Sequence, residues 1–271
     1  MWNLSYGLIV LLCCIAIVGC RQSTTPPAIT LATTTSPRDS GLLDALLPEF
    51  TVLSGVQVKV VAVGSGQALE LARRGDADVL LTHSPAAEEQ FMAAGHGTSR
   101  HPVMHNDFVI VGPARDPAGI QAATTVAEAF QLFARAETPF ISRADESGTH
   151  NKEQQIWQAA ATEPSGAWYI KSGSGMAAAL RMANEKHAYT LTDRGTYLAH
   201  QKQLELKILS AGDPMLINAY SVIVVATDRQ SHMQHAQAFA EFLIAPATQA
   251  KIAAFGVAEH GQSLFLPDAV P

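Results

Sequence analysis

ITLATTTSPRDSGLLDALLPEFTVLSGVQVKVVAVGSGQALELARRGDADVLLTH, residues 29–83, is where the fold is decided. It opens as a strand, ITLATTTS (29–36), that breaks into hydroxyls. Apolar residues at 42, 43, 46, 47 and 50 follow with a helical period. VQVKVVAV (56–63) alternates and is β-branched, which predicts a strand. GSGQALELARRGDA then reads as turn and helix, and DVLLTH (78–83) as a buried strand. PAAEEQFMAAG (85–95) is a helix stopped by Gly95. The order βαβαβ with short connections predicts α/β architecture, a parallel sheet covered by helices.

The same grammar continues outward. NDFVIVGP (106–113) is a strand closed by Gly112 and Pro113. Helices are expected over 124–136, 147–160 and 173–188, with strands at 139–143, within 188–201 and at 206–211. AYSVIVVA (219–226) is a strand of the first unit's character, and helices at 233–245 and 247–256 follow it. The chain therefore leaves one α/β lobe near 113 and returns near 212–219. Two hinge crossovers between two lobes imply a cleft, a preferred ligand site that can close. The expected division is 29–113 plus 212–271 for the first lobe and 114–211 for the second.

The chain of 271 residues is 48% hydrophobic and 15% charged, a globular composition. A net charge of −6 argues against nucleic acid as a partner. It does not argue against a local anion site made of neutral donors. LIVLLCCIAIV (8–18) is too short to span a bilayer and reads as the apolar core of a signal peptide over 1–19. Residues 1–7 contain no Lys or Arg, so only the terminal amine is positive there. IVGC (17–20) resembles a bacterial lipobox, which makes Cys20 the expected lipidation site and 20–28 a tether. With Cys13 and Cys14 removed, no internal disulfide is possible and the core alone must hold the fold.

Four strand-to-helix junctions are rich in Ser, Thr and Gly: TTTSPRDSG (33–41), VGSGQ (63–67), SRADESGTH (142–150) and KSGSGM (171–176). A helix start presents free N–H groups and the positive dipole end, which suits an anion. Any one junction is equally explained by ordinary N-capping. Four of them, two per lobe, point to a shared oxyanion site. Arg143 supplies a five-donor guanidinium fork at one of them, or else pairs with Asp145 or Glu146 on the surface. Arg38 is a weaker candidate because Asp39 adjoins it.

Other motifs carry less. GSGMAA (173–178), with Asp193 twenty positions after Gly173, fits a dinucleotide fingerprint but lacks a clear preceding strand. GSGQALE lacks the Lys of a P-loop, and there is no G-x-S-x-G elbow. His101 with His105, and His232 with His235, have no acidic or Cys partner at metal-ligand spacing. No catalytic residue, cofactor or metal is expected, and a phosphoester hydrolase in the same cleft would need a nucleophile–base pair that is not visible.

Five ordered blocks resemble a known family: TTTSPRDSGLLD, VGSGQALELARRGDADVLLTHSPAAEEQF, MHNDFVIVGPARDPAGI, ISRADESGTHNKE and WYIKSGSGMAAALRMANEKHAYTLTDRGTYL. They resemble the tungstate-binding proteins of bacterial ABC transporters, over about residues 29–225. The resemblance implies a two-lobed type II periplasmic-binding-protein fold. It implies a tetrahedral oxyanion held between the lobes and passed to a permease and an ATPase. By matching blocks it implies Thr34, Thr35, Ser36, Ser65 and Gly66 as first-lobe contacts. From the second lobe it implies Arg143, Ser147, Gly148 and Thr149, with Ser174 and Gly175 by backbone. The family usually has Gly-Asp-Asp where this chain has Ala144-Asp145-Glu146, and an acidic residue at Lys171. The expected protein is an extracytoplasmic, lipid-anchored monomer that takes tungstate, with molybdate, sulfate or phosphate as alternatives. Protonated phosphate would favour a carboxylate acceptor, and Asp39, Asp145 and Glu146 stand near the candidate loops.

Overall fold

In the computed structural model, which describes residues 26–269, β1 (Ala28–Thr33) ends at the TTTS run. The expected signal peptide, Cys20 and most of the tether lie outside the described residues. A one-turn helix, α1 (Thr35–Asp39), follows, and then α2 (Leu42–Ser54). β2 (Gln57–Ala62), α3 (Ser65–Arg73), β3 (Val79–Thr82) and α4 (Pro85–Ala93) complete the first run. β4 (Gly97–Pro113) begins nine residues earlier than the expected 106. GTSRHPVMH has no alternating pattern because its pairing with β9 (Ile217–Val225) shifts register around Gly97 and Pro102.

Next come α5 (Val126–Ala136), β5 (Phe140–Ser142), α6 (Gly148–Ala159), β6 (Tyr169–Lys171), α7 (Met176–Glu185), β7 (Tyr189–Asp193), α8 (Arg194–His200) and β8 (Leu206–Ser210). After β9 the chain closes with α9 (Gln230–Ile244), α10 (Pro246–Ala254), α11 (Val257–His260) and β10 (Leu266–Pro267). The 173–178 stretch does follow a strand, β6, contrary to the sequence expectation. That strand is short and lies at the sheet edge.

The strand order is β2-β1-β3-β9-β4-β7-β5-β6. β1, β2 and β3 are mutually parallel, as are β5, β6 and β7. The parallel pairing expected for the βαβαβ run holds in β1, β2 and β3, while β9 and β4 run antiparallel to their neighbours. β4 changes partner inside its own length. It pairs with β9 through Asp107 and with β7 from Phe108. The two long strands that cross between lobes are thus neighbours, and Asn218 Nδ2 donates to Asn106 Oδ1 (2.7 Å) where they cross.

Each lobe has a core on both faces of its sheet. In the first lobe Leu31, Val79, Leu81, Val222 and Val224 pack on Leu42, Leu46, Phe50 and Phe239. The alternate residues Ala32, Leu80 and Ile223 pack on Leu69 and Phe91. In the second lobe Phe108, Ile110, Phe140 and Leu191 meet Phe130, Phe133 and Trp157. Val109, Val111 and Ile141 meet Leu180, Ala183 and Tyr197 on the other face. Burial on both faces explains the continuous apolar runs of these strands. Among the described residues no helix is long and apolar enough to cross a membrane.

Candidate functional site

Parallel strands put their carboxyl ends, and the helix starts that follow, on one side of each lobe. β1, β2 and β3 deliver Thr34, Ser65 and His83 there, while β5, β6 and β7 deliver Arg143, Ser174 and Asp193. The two sets meet across a cleft. The His83 ring lies against the Cα of Gly148 at the start of α6, and the hydroxyl of Tyr220 on β9 faces Thr34, Ser36 and the Asp193 charge. Two open cavities, of about 410 and 400 Å³, lie elsewhere in the second lobe and include none of these loops.

The hydroxyls divide into structural and unspent ones. Thr33 Oγ1 donates to the Leu81 carbonyl (2.8 Å) and holds β1 to β3. Thr34 occupies the N-cap position of α1 but makes no cap bond. It is 4% exposed and its Oγ1 has no partner. Ser65, at the start of α3, is 8% exposed and its Oγ is likewise unpartnered. Buried hydroxyls without partners cost about 1–3 kcal/mol each, so both are poised for something that supplies an acceptor. Thr35 is exposed and Ser36 half-buried. Gly66 and Gly175 have ordinary φ, and a Cβ at either would meet nothing within 4 Å. Neither glycine is required by the backbone or by a packed neighbour.

Across the cleft, Ser147 caps α6 by accepting from the His150 N–H (3.3 Å), which engages its oxygen at the helix start and leaves its O–H as a donor. Arg143 is paired with Asp145, as the salt-bridge reading expects. Its Nε donates to Asp145 Oδ2 (3.1 Å), and its Nη1 donates to Thr149 Oγ1 (3.2 Å). The side chain is only 14% exposed. Asp145 is therefore the brace of a guanidinium aimed along the α6 start. Burial alone would raise the Asp145 carboxyl, but bonds from Ser147 and Arg143 outweigh it and its pKa lies below the usual range. Ser172 Oγ donates to the Arg143 carbonyl (3.3 Å) and bonds Ser174 Oγ (3.1 Å), which ties the SGSGM loop to the arginine. Beneath them, Glu153 accepts from Tyr169 Oη (2.6 Å) and Trp157 Nε1 (3.2 Å), and burial raises its pKa. Lys171 is exposed at the end of β6. Arg38 is spent on Asp39 (2.7 Å) at the surface.

The ADE turn carries strain. Ala144 and Glu146 both have positive φ, at 48° and 57°. An L residue there costs about 1–2 kcal/mol relative to glycine. Ala144→Gly is expected to stabilise the protein by about 1 kcal/mol and raise Tm by about 2–4 °C. A thermal melt that shows no rise contradicts this.

Two cleft residues had no signal in the sequence. Burial and the Asp193 charge hold the Tyr220 hydroxyl well above its usual pKa, against the opposing pull of the Ser36, Thr34 and Asn218 side chains, so it stays a neutral donor. His83 is the second. Desolvation of the ring pushes its pKa down to about 4; the Lys152 ammonium adds to the shift and Asn218 opposes it. An unfolded histidine binds its proton below about pH 6.5. Between pH 6.5 and 4 the unfolded chain holds a proton that the folded chain refuses, so stability falls as pH falls. The ligand-free protein is expected to lose about 1.4 kcal/mol per pH unit from this group across that window. Urea midpoints at pH 7, 6 and 5 check it; parallel curves for the native chain and His83→Gln contradict it.

Residues 21–247 match the model of the PBP superfamily domain. The chain belongs to the PBP superfamily. A tungstate-binding protein TupA of Peptoclostridium acidaminophilum is 43% identical over 96% of each chain. Solved structures agree with this PBP-superfamily assignment. TupA from Desulfovibrio alaskensis G20 superposes with a TM-score of 0.80 at 42% identity, covering 90% of this chain and 100% of that one. The tungstate ABC transporter structure from Geobacter sulfurreducens gives 0.72 at 46%, covering 82% and 95%. The two-lobed type II fold expected from the sequence is the one observed.

Proposed function

We propose that this chain is the extracytoplasmic binding protein of a tungstate ABC transporter. It holds tungstate between its lobes and hands it to a permease and an ATPase. The division into 29–113 plus 212–271 and 114–211 belongs to this reading, with the crossings in β4 and beside β9. So do a signal peptide over 1–19, a lipid on Cys20 and a monomeric state.

The observation that carries the reading is a set of buried, unspent donors opposite a braced cation. Thr34 Oγ1 and Ser65 Oγ stand at neighbouring strand ends with no partner. Arg143 stands at the start of α6, with Thr149 beside it. The free N–H groups of α3 and α6 add backbone donors. Ser36, Thr35, Gly66, Ser147, Gly148, Ser174 and Gly175 complete the proposed contact surface. About five to seven donors at roughly 1.5–3 kcal/mol each support nanomolar affinity after closure costs. The tungstate in the name of the Peptoclostridium acidaminophilum relative supports this choice of anion.

The carboxylates of the cleft favour a fully ionised ligand. Asp145 is committed to Arg143 and Ser147, and Asp193 to Thr196 N–H and Oγ1 (2.8 and 2.7 Å). Asp39 is paired at the surface with Arg38. Glu146, the remaining acid of that turn, is exposed at the surface, so no buried carboxylate there is left without a donor of its own to accept the proton of a monohydrogen phosphate. Tungstate and molybdate carry no such proton at neutral pH.

A thermal-shift series with tungstate, molybdate, sulfate and phosphate tests the reading. A ligand at a thousandfold excess over Kd stabilises by about 4 kcal/mol. Tm is therefore expected to rise by about 10 °C with tungstate. Equal shifts with sulfate or phosphate, or none with any anion, contradict it.

A further inference from the structure

Gly148 has no backbone reason to be glycine. Its φ is not positive, and it occupies the first position of α6. Alanine is better by up to about 1 kcal/mol in helical positions. The reason is spatial. A Cβ at 148 would lie 2.5 Å from His83 Cε1, 3.2 Å from Nε2 and 3.5 Å from Nδ1. His83 belongs to the opposite lobe, so the bare Cα is where the two lobes touch.

The ring is backed by a buried neighbour. It packs on Tyr220 with centroids 4.9 Å apart, and Tyr220 is 1% exposed and bonded by Asn218 (3.1 Å). Lys152, one turn along α6, donates to the Ile217 carbonyl (3.4 Å), and its ammonium charge is felt at the ring. The backbone that carries His83 is clamped at both ends by one carboxylate. Glu88 Oε1 accepts from Thr82 Oγ1 (2.8 Å) and from the Ser84 N–H (2.9 Å), while Arg100 grips Oε2 (3.0 and 2.9 Å). Glu88 is 0% exposed.

We infer that the His83–Gly148 contact is the stop that sets how far the lobes close, and hence which size of tetrahedral anion fits between them. This rests on the oxyanion reading above. Thr149, the neighbour of Gly148, bonds Arg143, so a displacement at 148 is carried directly to the cation. Removing the ring lets α6 approach further and admits smaller anions such as sulfate. Adding a methyl at 148 holds the lobes apart.

Calorimetry on the native chain, Gly148→Ala, His83→Ala and the double variant tests this, with melting curves to establish that each is folded and His83→Asn as a substitute if His83→Ala is not. Tungstate is the titrant and sulfate the competitor. Gly148→Ala is expected to weaken tungstate binding at least about tenfold in the native background and less than about threefold in the His83→Ala background. His83→Ala is expected to shrink the preference for tungstate over sulfate by about tenfold or more. An equal cost of Gly148→Ala in both backgrounds, or an unchanged preference in His83→Ala, overturns the inference while leaving the oxyanion reading intact. Failure of the native chain to bind any oxyanion would sink that reading itself.

Discussion

Arg143→Ala is expected to weaken tungstate binding by about 10²–10³-fold, the largest effect of any single change in the cleft. Two losses combine. The dianion loses its charge-assisted donor, and Asp145, until then neutralised by Nε and Nη2, faces the dianion as a bare carboxylate. The second loss distinguishes this arginine from an unbraced one. Asp145→Ala in the Arg143→Ala background should recover part of the affinity, because it removes the repulsion. Arg143→Lys should fall between, since an ammonium keeps the charge but cannot hold Asp145, Thr149 and ligand together. Titration calorimetry reads all three; native affinity in Arg143→Ala would remove this residue from the site.

Glu88→Ala is expected to destabilise the fold by about 3–5 kcal/mol and lower Tm by about 10 °C. The carboxylate is fully buried and meets four donors on three elements. Its removal leaves the partly buried Arg100 guanidinium unpaired, and releases Thr82 and Ser84 on either side of His83. The loss should therefore reach ligand binding as well as stability. Urea denaturation with and without tungstate separates the two. A Tm within about 2 °C of native contradicts the clamp, since a buried pair broken on one side costs more than that.

The helices and strands around 29–83 could be read from the sequence because each repeats its own period over several residues. The four hydroxyl-rich loops were legible for a similar reason: a cluster of Ser, Thr and Gly at a strand end is a local signal. What those loops do was only half legible. Thr33, Thr34 and Ser147 look alike in sequence, yet Thr33 ties two strands, Ser147 caps a helix and Thr34 does neither. The difference lies in partners, Leu81 in one case, that are distant along the chain. For Arg143 the sequence leaves ligand contact and salt bridge open; the fold supplies the salt bridge to Asp145, and under the proposed function that bridge aims the guanidinium at the ligand.

The misses share one physical cause. The first half of β4 owes its strand character to β9, more than a hundred residues away, and its own residues carry Pro102 and mixed polarity. α1 has five residues, one of them proline, too short for a period to appear. The antiparallel placement of β9 between β3 and β4 is a long-range pairing choice. His83 is a single histidine after a strand, and Glu88 a single acid in a helix's first turn. Neither stands out until the fold brings Gly148, Tyr220 and Arg100 to them.

The central claim is that buried neutral donors of one lobe and one braced guanidinium of the other hold a fully ionised tetrahedral anion. Direct titration of the native chain with tungstate at neutral pH tests it. The account predicts one site per chain with Kd in the nanomolar range, displaced by molybdate and not by an excess of phosphate. Binding weaker than about 10 μM, an energy of about 7 kcal/mol that two or three such donors could supply, would contradict it.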